Sequence, residues 1–273
     1  MAKVTEADRT KYLEEINIYK NRIEDISKKI KNNNVEIANN KTREPYLRID
    51  STNAYLNQIS IYCGMNTISV YLLDVKNNSF LEKARLLIYE ALMNLEKVVT
   101  NYIDVPFADY EEFLEKIADI TDFDKLNLIK KLGFSIDLLV ESFGENSKWK
   151  WSFVELESRF SVISKNFFDL KLYQKLNDPR EIGYKERREH LKIIFQSMQS
   201  ASQHFREKYE FTGKDIEDLK KAIDLQKGML RVAQLVNDTE KLENCKKQID
   251  VWSTLLEKKL IEDAEKKKNS QLR

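Results

Sequence analysis

Isoleucines recur every seven residues near the start of the chain, at Ile16, Ile23, Ile30 and Ile37, and Tyr12, Tyr19, Ile26 and Asn33 interleave with them. Apolar residues at both positions of a seven-residue repeat fall on one stripe of a helix, because two helical turns take about seven residues. The pattern predicts one helix from Thr5 to Asn40, roughly 54 Å long at about 1.5 Å per residue. A rod of that length reaches the edge of a compact fold or projects from it. The asparagines at 32–34 and 39–40 weaken its end, and Pro45 breaks the chain.

The remaining sequence divides in the same way, into about eight long amphipathic helices in all. The second is predicted over 51–74. Ser51 to Leu73 carries no charge over 23 positions, a length that fits a membrane span. Asn53, Asn57, Gln58 and Asn66 argue against one, since amides are costly in hydrocarbon. A central helix touched on most sides by its neighbours is the expectation. Ser79 with Glu82 has the spacing of a capping box for a third helix, running to about Ile103. Pro106 ends that stretch, and 107–144 reads as two shorter helices parted at Thr121-Asp122, with Gly144 closing the second.

Ser152 and Glu155 form another capping-box spacing, with Trp151 and Leu156 placed as a hydrophobic staple, for a helix to about Leu176. Asp178-Pro179-Arg180-Glu181 predicts a helix start, with Gly183 as a weak point in a helix to about Tyr209. Thr212-Gly213 separates it from 214–236, and Asn237 with Glu240 opens a last helix ending in Lys266-Lys267-Lys268. These helices also keep heptads: Leu191, Met198 and Phe205; Ile216, Ile223 and Leu230; Leu242, Ile249 and Leu256, with Cys245 and Trp252 between. Such seams suit antiparallel helices on short connections. The expected fold is all-α, an elongated multi-helix bundle with coiled-coil-like N- and C-terminal helices. Three segments follow: 1–44, 45–146 and 147–273.

Composition supports this picture. Six Gly and three Pro in 273 residues leave few tight turns or hairpins. The net charge of +1 is unevenly spread: +2 over 1–100, −7 over 101–146 and +6 over 147–273. The even total speaks against a dedicated nucleic-acid binder. The polar N-terminus shows no signal peptide and no long apolar span follows it, so a cytoplasmic location is expected unless a leader has been removed.

Candidate chemistry is sparse. The only histidines, His190 and His204, are 14 residues apart, which is about 21 Å along a helix. They cannot share a metal, and Glu186, Glu189 and His190 lack the Glu-x-x-His spacing of di-iron bundles. Cys63 and Cys245 lie far apart in apolar stretches and are expected to be reduced and buried. Asp122 and Asp124 read as a helix cap. No phosphate loop or nucleophile elbow is present, so no catalytic residue, metal or cofactor is expected. Lys148-Trp149-Lys150-Trp151 is the most distinctive run. The staple employs Trp151, which leaves Trp149 for an interaction.

Long seams, stable helices and charged faces point to a non-enzymatic scaffold or adaptor with a protein partner or a second copy. Two alternatives stand beside it: weak binding of nucleic acid or an anionic surface by the basic C-terminal half, and an enzyme with a carboxylate site hidden from sequence. The Tyr12–Ile23 half of the first helix is expected to pack on the body. Ile26, Ile30, Asn33 and Ile37 are expected to be available to a partner, along with Trp149.

Overall fold

The computed structural model describes residues 4–144 and 147–271, with side chains as far as Glu265. Helix accounts for 82% of the described residues, and there is no strand among them. Among the described residues ten α-helices occur in order: α1 Glu6–Asn39, α2 Glu44–Leu73, α3 Asn78–Val99, α4 Glu111–Glu115, α5 Asp122–Phe143, α6 Lys150–Asn166, α7 Leu170–Lys175, α8 Tyr184–Phe211, α9 Ile216–Leu235 and α10 Thr239–Gln271. A single 3-10 turn, Phe107–Asp109, precedes α4. The side chains of Lys266, Lys267 and Lys268 lie outside the described residues.

The helices fall into two compact units, one built from 1–100 and 113–156, the other from 101–112 and 157–273. In the first of them α1 packs along α2.

In the first unit α2 is central, with α1, α3 and α5 all packed on it. The absence of charge over 51–73 follows, since α1, α3 and α5 cover much of this stretch. Cys63 and Ile59 are fully buried there. Its polar residues are matched one by one. The Gln58 amide donates to the Ile23 carbonyl (3.1 Å) and the Ser27 hydroxyl (2.7 Å) of α1. The Asn33 amide of α1 donates to Asp50 (2.9 Å) and to Ser51 (3.1 Å). Burial alone would raise the Asp50 carboxyl, but hydrogen bonds from Lys29 and Asn33 outweigh it and hold the group below the ordinary carboxylate range. Each amide thereby avoids the penalty of a buried, unbonded polar group.

In the second unit α9 lies against both α8 and α10. Leu191, Ile194, Met198, Ala201 and Phe205 of α8 are all buried, as their seam requires. The fully buried Gln226 of α9 donates to Ser202 (2.7 Å) and to Gln199 (3.2 Å) of α8. Trp252, Ile249, Leu255 and Leu256 of α10 pack on Tyr209, Leu219 and Ile223, the neighbourhood that their heptad positions indicate. Both cysteines are free and buried.

Several local expectations are corrected. The break expected at Pro45 falls at 40–43, and Pro45 itself sits in the first turn of α2, where a missing N–H costs nothing. Ser79 does not cap α3. Asn77 does, its side chain accepting the Phe80 N–H. The second box and its staple do not form, because α6 starts at Lys150 and Ser152 bonds the Tyr89 hydroxyl at 2.8 Å. The predicted helix to Leu176 is interrupted after Asn166, and Asp169 caps a separate α7. Asp178 does not start α8. Its carboxylate accepts from the Arg180 backbone and guanidinium in a turn, and the helix begins only after Gly183, whose φ of +80° suits glycine.

Candidate functional site

The turn between α2 and α3 builds a cleft in the first unit. Asp74 closes α2 in the left-handed conformation, and the Asn66 side chain holds the turn by accepting the Asn77 N–H at 2.8 Å. The turn directs Lys76 to the end of α5. Its Nζ donates to the Phe143 carbonyl at 2.7 Å, one of the carbonyls a helix end leaves unbonded. Gly144 takes a positive φ of 77° and turns the chain back. It leads to Trp149, whose N–H donates to the Ser147 hydroxyl.

Trp149 is fixed by charge as well as by packing. Its indole Nε1 donates to Glu82 at 2.8 Å, and the other Glu82 oxygen accepts from Arg85 Nε at 2.9 Å. The Arg85 guanidinium lies 3.9 Å from the indole centroid and the Lys148 Nζ 4.9 Å from it, both within cation–π range. A cleft of about 440 Å³ opens between Trp149 and the start of α3, walled by Phe143, Lys76 and Lys148 and floored by Asn78 and Ser79.

Among its described lining residues this cleft carries two lysines and one glutamate. Glu82 is spent on Arg85 and Trp149. Among the described residues neither Lys76 nor Lys148 has a carboxylate partner, and the first turn of α3 carries no acid. The positive end of the α3 dipole adds to this field. Close by in the chain, Tyr71 is 84% exposed and Val75 is exposed too.

The other expected contact residues are placed differently. Ile30, Asn33 and Ile37 are 7–8% exposed, covered by α2 of the same chain. Ile26, beside them, is half-buried. Ile30, Asn33 and Ile37 are therefore buried within the chain itself. The uncharged stretch of α2 needs a cover, and the isoleucine stripe supplies part of it.

The second unit holds a charged centre that sequence reasoning missed. Lys165, in the last turn of α6, is only 2% exposed. Its Nζ lies 4.6 Å from the centroid of the buried Tyr110 ring. Burial pulls its ammonium down to about 7; Asp104 draws it up and Arg231 pushes it down. Arg231 Nε donates to Asp104. Burial, then the nearby Asp169, holds the Tyr110 hydroxyl above its ordinary value. Beside this centre, Phe107, Leu170, Leu235 and Arg231 wall a second cleft of about 430 Å³. Nothing in the local sequence marks Lys165, because a lysine near a helix C-terminus is ordinarily a solvated cap.

The sequence profile of the TP0443 family matches residues 8–260, nearly the whole chain. The chain belongs to the TP0443 family. No curated protein and no solved structure matches it. In this TP0443-family chain the two histidines have separate roles. His190 is buried, and its Nε2 lies 3.0 Å from the Ser164 carbonyl. A carbonyl only accepts, so that nitrogen carries the proton. His204 pairs with Glu157. Among the described residues of this family member no group of three or more His, Cys, Asp or Glu is placed to hold a metal ion. Among the described residues no helix is long and apolar enough to cross a membrane.

Proposed function

We propose that the protein is a non-enzymatic helical adaptor that takes an acidic segment of a partner protein in the cleft beside Trp149. The observation that carries this reading is the fixed indole beside Lys76 and Lys148, which have no carboxylate partner among the described residues. Tryptophan and arginine in a partly buried setting are the residues that dominate protein contacts. A wall held in place by Glu82 and Arg85 loses little freedom on binding. A carboxylate of the partner would bridge Lys76 and Lys148 at the start of α3, and an adjoining apolar side chain would rest on Trp149 and Phe143. Assembly through the α1 stripe is not part of the proposal, since that stripe is covered.

The test is fluorescence anisotropy of labelled peptides with the full chain. One peptide carries Leu, Phe and several Asp residues; its control replaces each Asp by Asn. The acidic peptide is expected to bind at least tenfold more tightly, and Lys148→Glu or Trp149→Ala to remove that preference. Equal binding of the two peptides would overturn the reading. So would a single-stranded oligonucleotide displacing the acidic peptide and binding more tightly than it.

A further inference from the structure

The second cleft differs in chemistry from the first. Phe107 and its neighbours Pro106 and Ala108 form one wall, and Leu170 and Leu235 another. At about 430 Å³ it is in the size range of small-molecule sites. Its polar groups divide into spent and unspent. Lys171 is held by Glu111 at 2.6 Å, and the Gln174 amide donates to the Leu235 carbonyl at 2.6 Å. Arg231 uses Nε on Asp104. Among the described residues its two terminal amines have no acceptor, and neither does the Gln234 side chain.

Asp104 therefore does to Arg231 what an orienting group does in a built anion site. It fixes the plane of the guanidinium from one edge and leaves the paired terminal amines to a ligand. Two parallel N–H donors match the two oxygens of a carboxylate. Charge then limits the ligand. Arg231 and Lys171 are balanced by Asp104 and Glu111, so the rim is neutral and a doubly charged anion would be left unbalanced. A monocarboxylate adds only a single charge to this neutral rim, and two N–H donors of one guanidinium meet it.

We propose that this cleft binds a small amphipathic monocarboxylate, its carboxylate on the terminal amines of Arg231 and its aliphatic part between Phe107, Leu170 and Leu235. The inference is independent of the adaptor reading, because it concerns a different unit and different residues. Apolar walls supply affinity by leaving water, and the guanidinium supplies selection for the charged end.

Isothermal titration of the full chain with octanoate tests it, beside 1-octanol, octylamine and inorganic phosphate. Octanoate is expected to bind saturably at one site, and the other three probes at least tenfold more weakly. Arg231→Gln should weaken octanoate by about 10- to 100-fold, the usual worth of a charge-assisted hydrogen bond. Because Arg231 also pairs with Asp104, a second variant guards against misfolding. Ala108→Trp fills the cleft from an exposed position and should abolish binding with the circular dichroism spectrum unchanged. The proposal is overturned if octanol or phosphate binds as well as octanoate, if octanoate shows no saturable binding, or if Ala108→Trp binds octanoate like the parent.

Discussion

The carbonyl oxygen of Ile103 presses on the backbone of α9 at Gly228, where a methyl group would stand 2.7 Å from it. The irregular segment after α3 is thus seated on a helix that has no side chain at the contact. Replacing a helical glycine by alanine ordinarily stabilises by about 1 kcal/mol. At this position the sign reverses, because a backbone atom cannot move aside as a flexible side chain can. Gly228→Ala is expected to destabilise by about 1–3 kcal/mol. Gly64 of α2 has nothing within 4 Å of the same added atom, so Gly64→Ala should show the ordinary gain. Urea midpoints of the two variants moving in the same direction would refute the contact.

Lys165 gives a pH dependence with a definite sign. Its folded value is about 7, against roughly 10.4 in the unfolded chain. Between those values the unfolded chain binds more protons, so stability rises with pH, by up to about 1.4 kcal/mol per unit. Below pH 7 the ammonium is charged in both states and the burial cost is felt in full. The Lys165→Met variant lacks this slope. The stability of the parent minus that of the variant should therefore climb from pH 7 to pH 9. A flat difference would show that Lys165 is hydrated in the native protein.

The covered stripe on α1 predicts a loss of stability, not of assembly. Ile30→Ala and Ile37→Ala should each cost about 2–4 kcal/mol, as truncation of buried isoleucine does. Light scattering of parent and variants should give the same mass, provided measurement is made well below the unfolding temperature. A variant that melts like the parent and changes only its mass would restore the partner reading of this stripe.

Both thiols should be inert in the native state. Burial raises Cys63, and raises Cys245 to about 11, which leaves little thiolate at neutral pH. Labelling with a thiol-specific reagent at pH 7.5 should be slow, and should become fast in denaturant. Rapid reaction of either cysteine without denaturant would contradict its placement.

Much of the fold was legible because periodicity and burial are one fact seen twice. The isoleucine heptad gave α1 to within a residue at each end, and the uncharged stretch after Ser51 correctly marked the helix that others surround. Helix starts were less legible. Ser79, Ser152 and Asp178 each have a capping side chain at suitable spacing, yet Asn77, Lys150 and Gly183 mark the real beginnings. A cap stabilises by about 1 kcal/mol, and tertiary packing of the first turn outweighs that. Trp149 stood out from its neighbours in sequence, whereas Glu82 and Arg85, which fix it, lie 67 and 64 residues away. Lys165 was hidden for the same reason. Its partners Asp104, Tyr110 and Arg231 meet only in three dimensions.

Asn33 and Gln58 have a further consequence for how the first unit reaches its fold. A stripe that repeats every seven residues is nearly self-similar, so α1 could slide along α2 by one heptad and still bury isoleucine. A slip in either direction would bring Ile26 or Asn40 to the place of Asn33. The first would strand the Asp50 carboxylate against a hydrocarbon; the second would swing the end of the helix over it. The Gln58 amide would at the same time lose the Ser27 hydroxyl. The two amides act as an index mark on an otherwise ungraduated rule: the hydrophobic repeat brings the helices together, and the amides allow them only one phase.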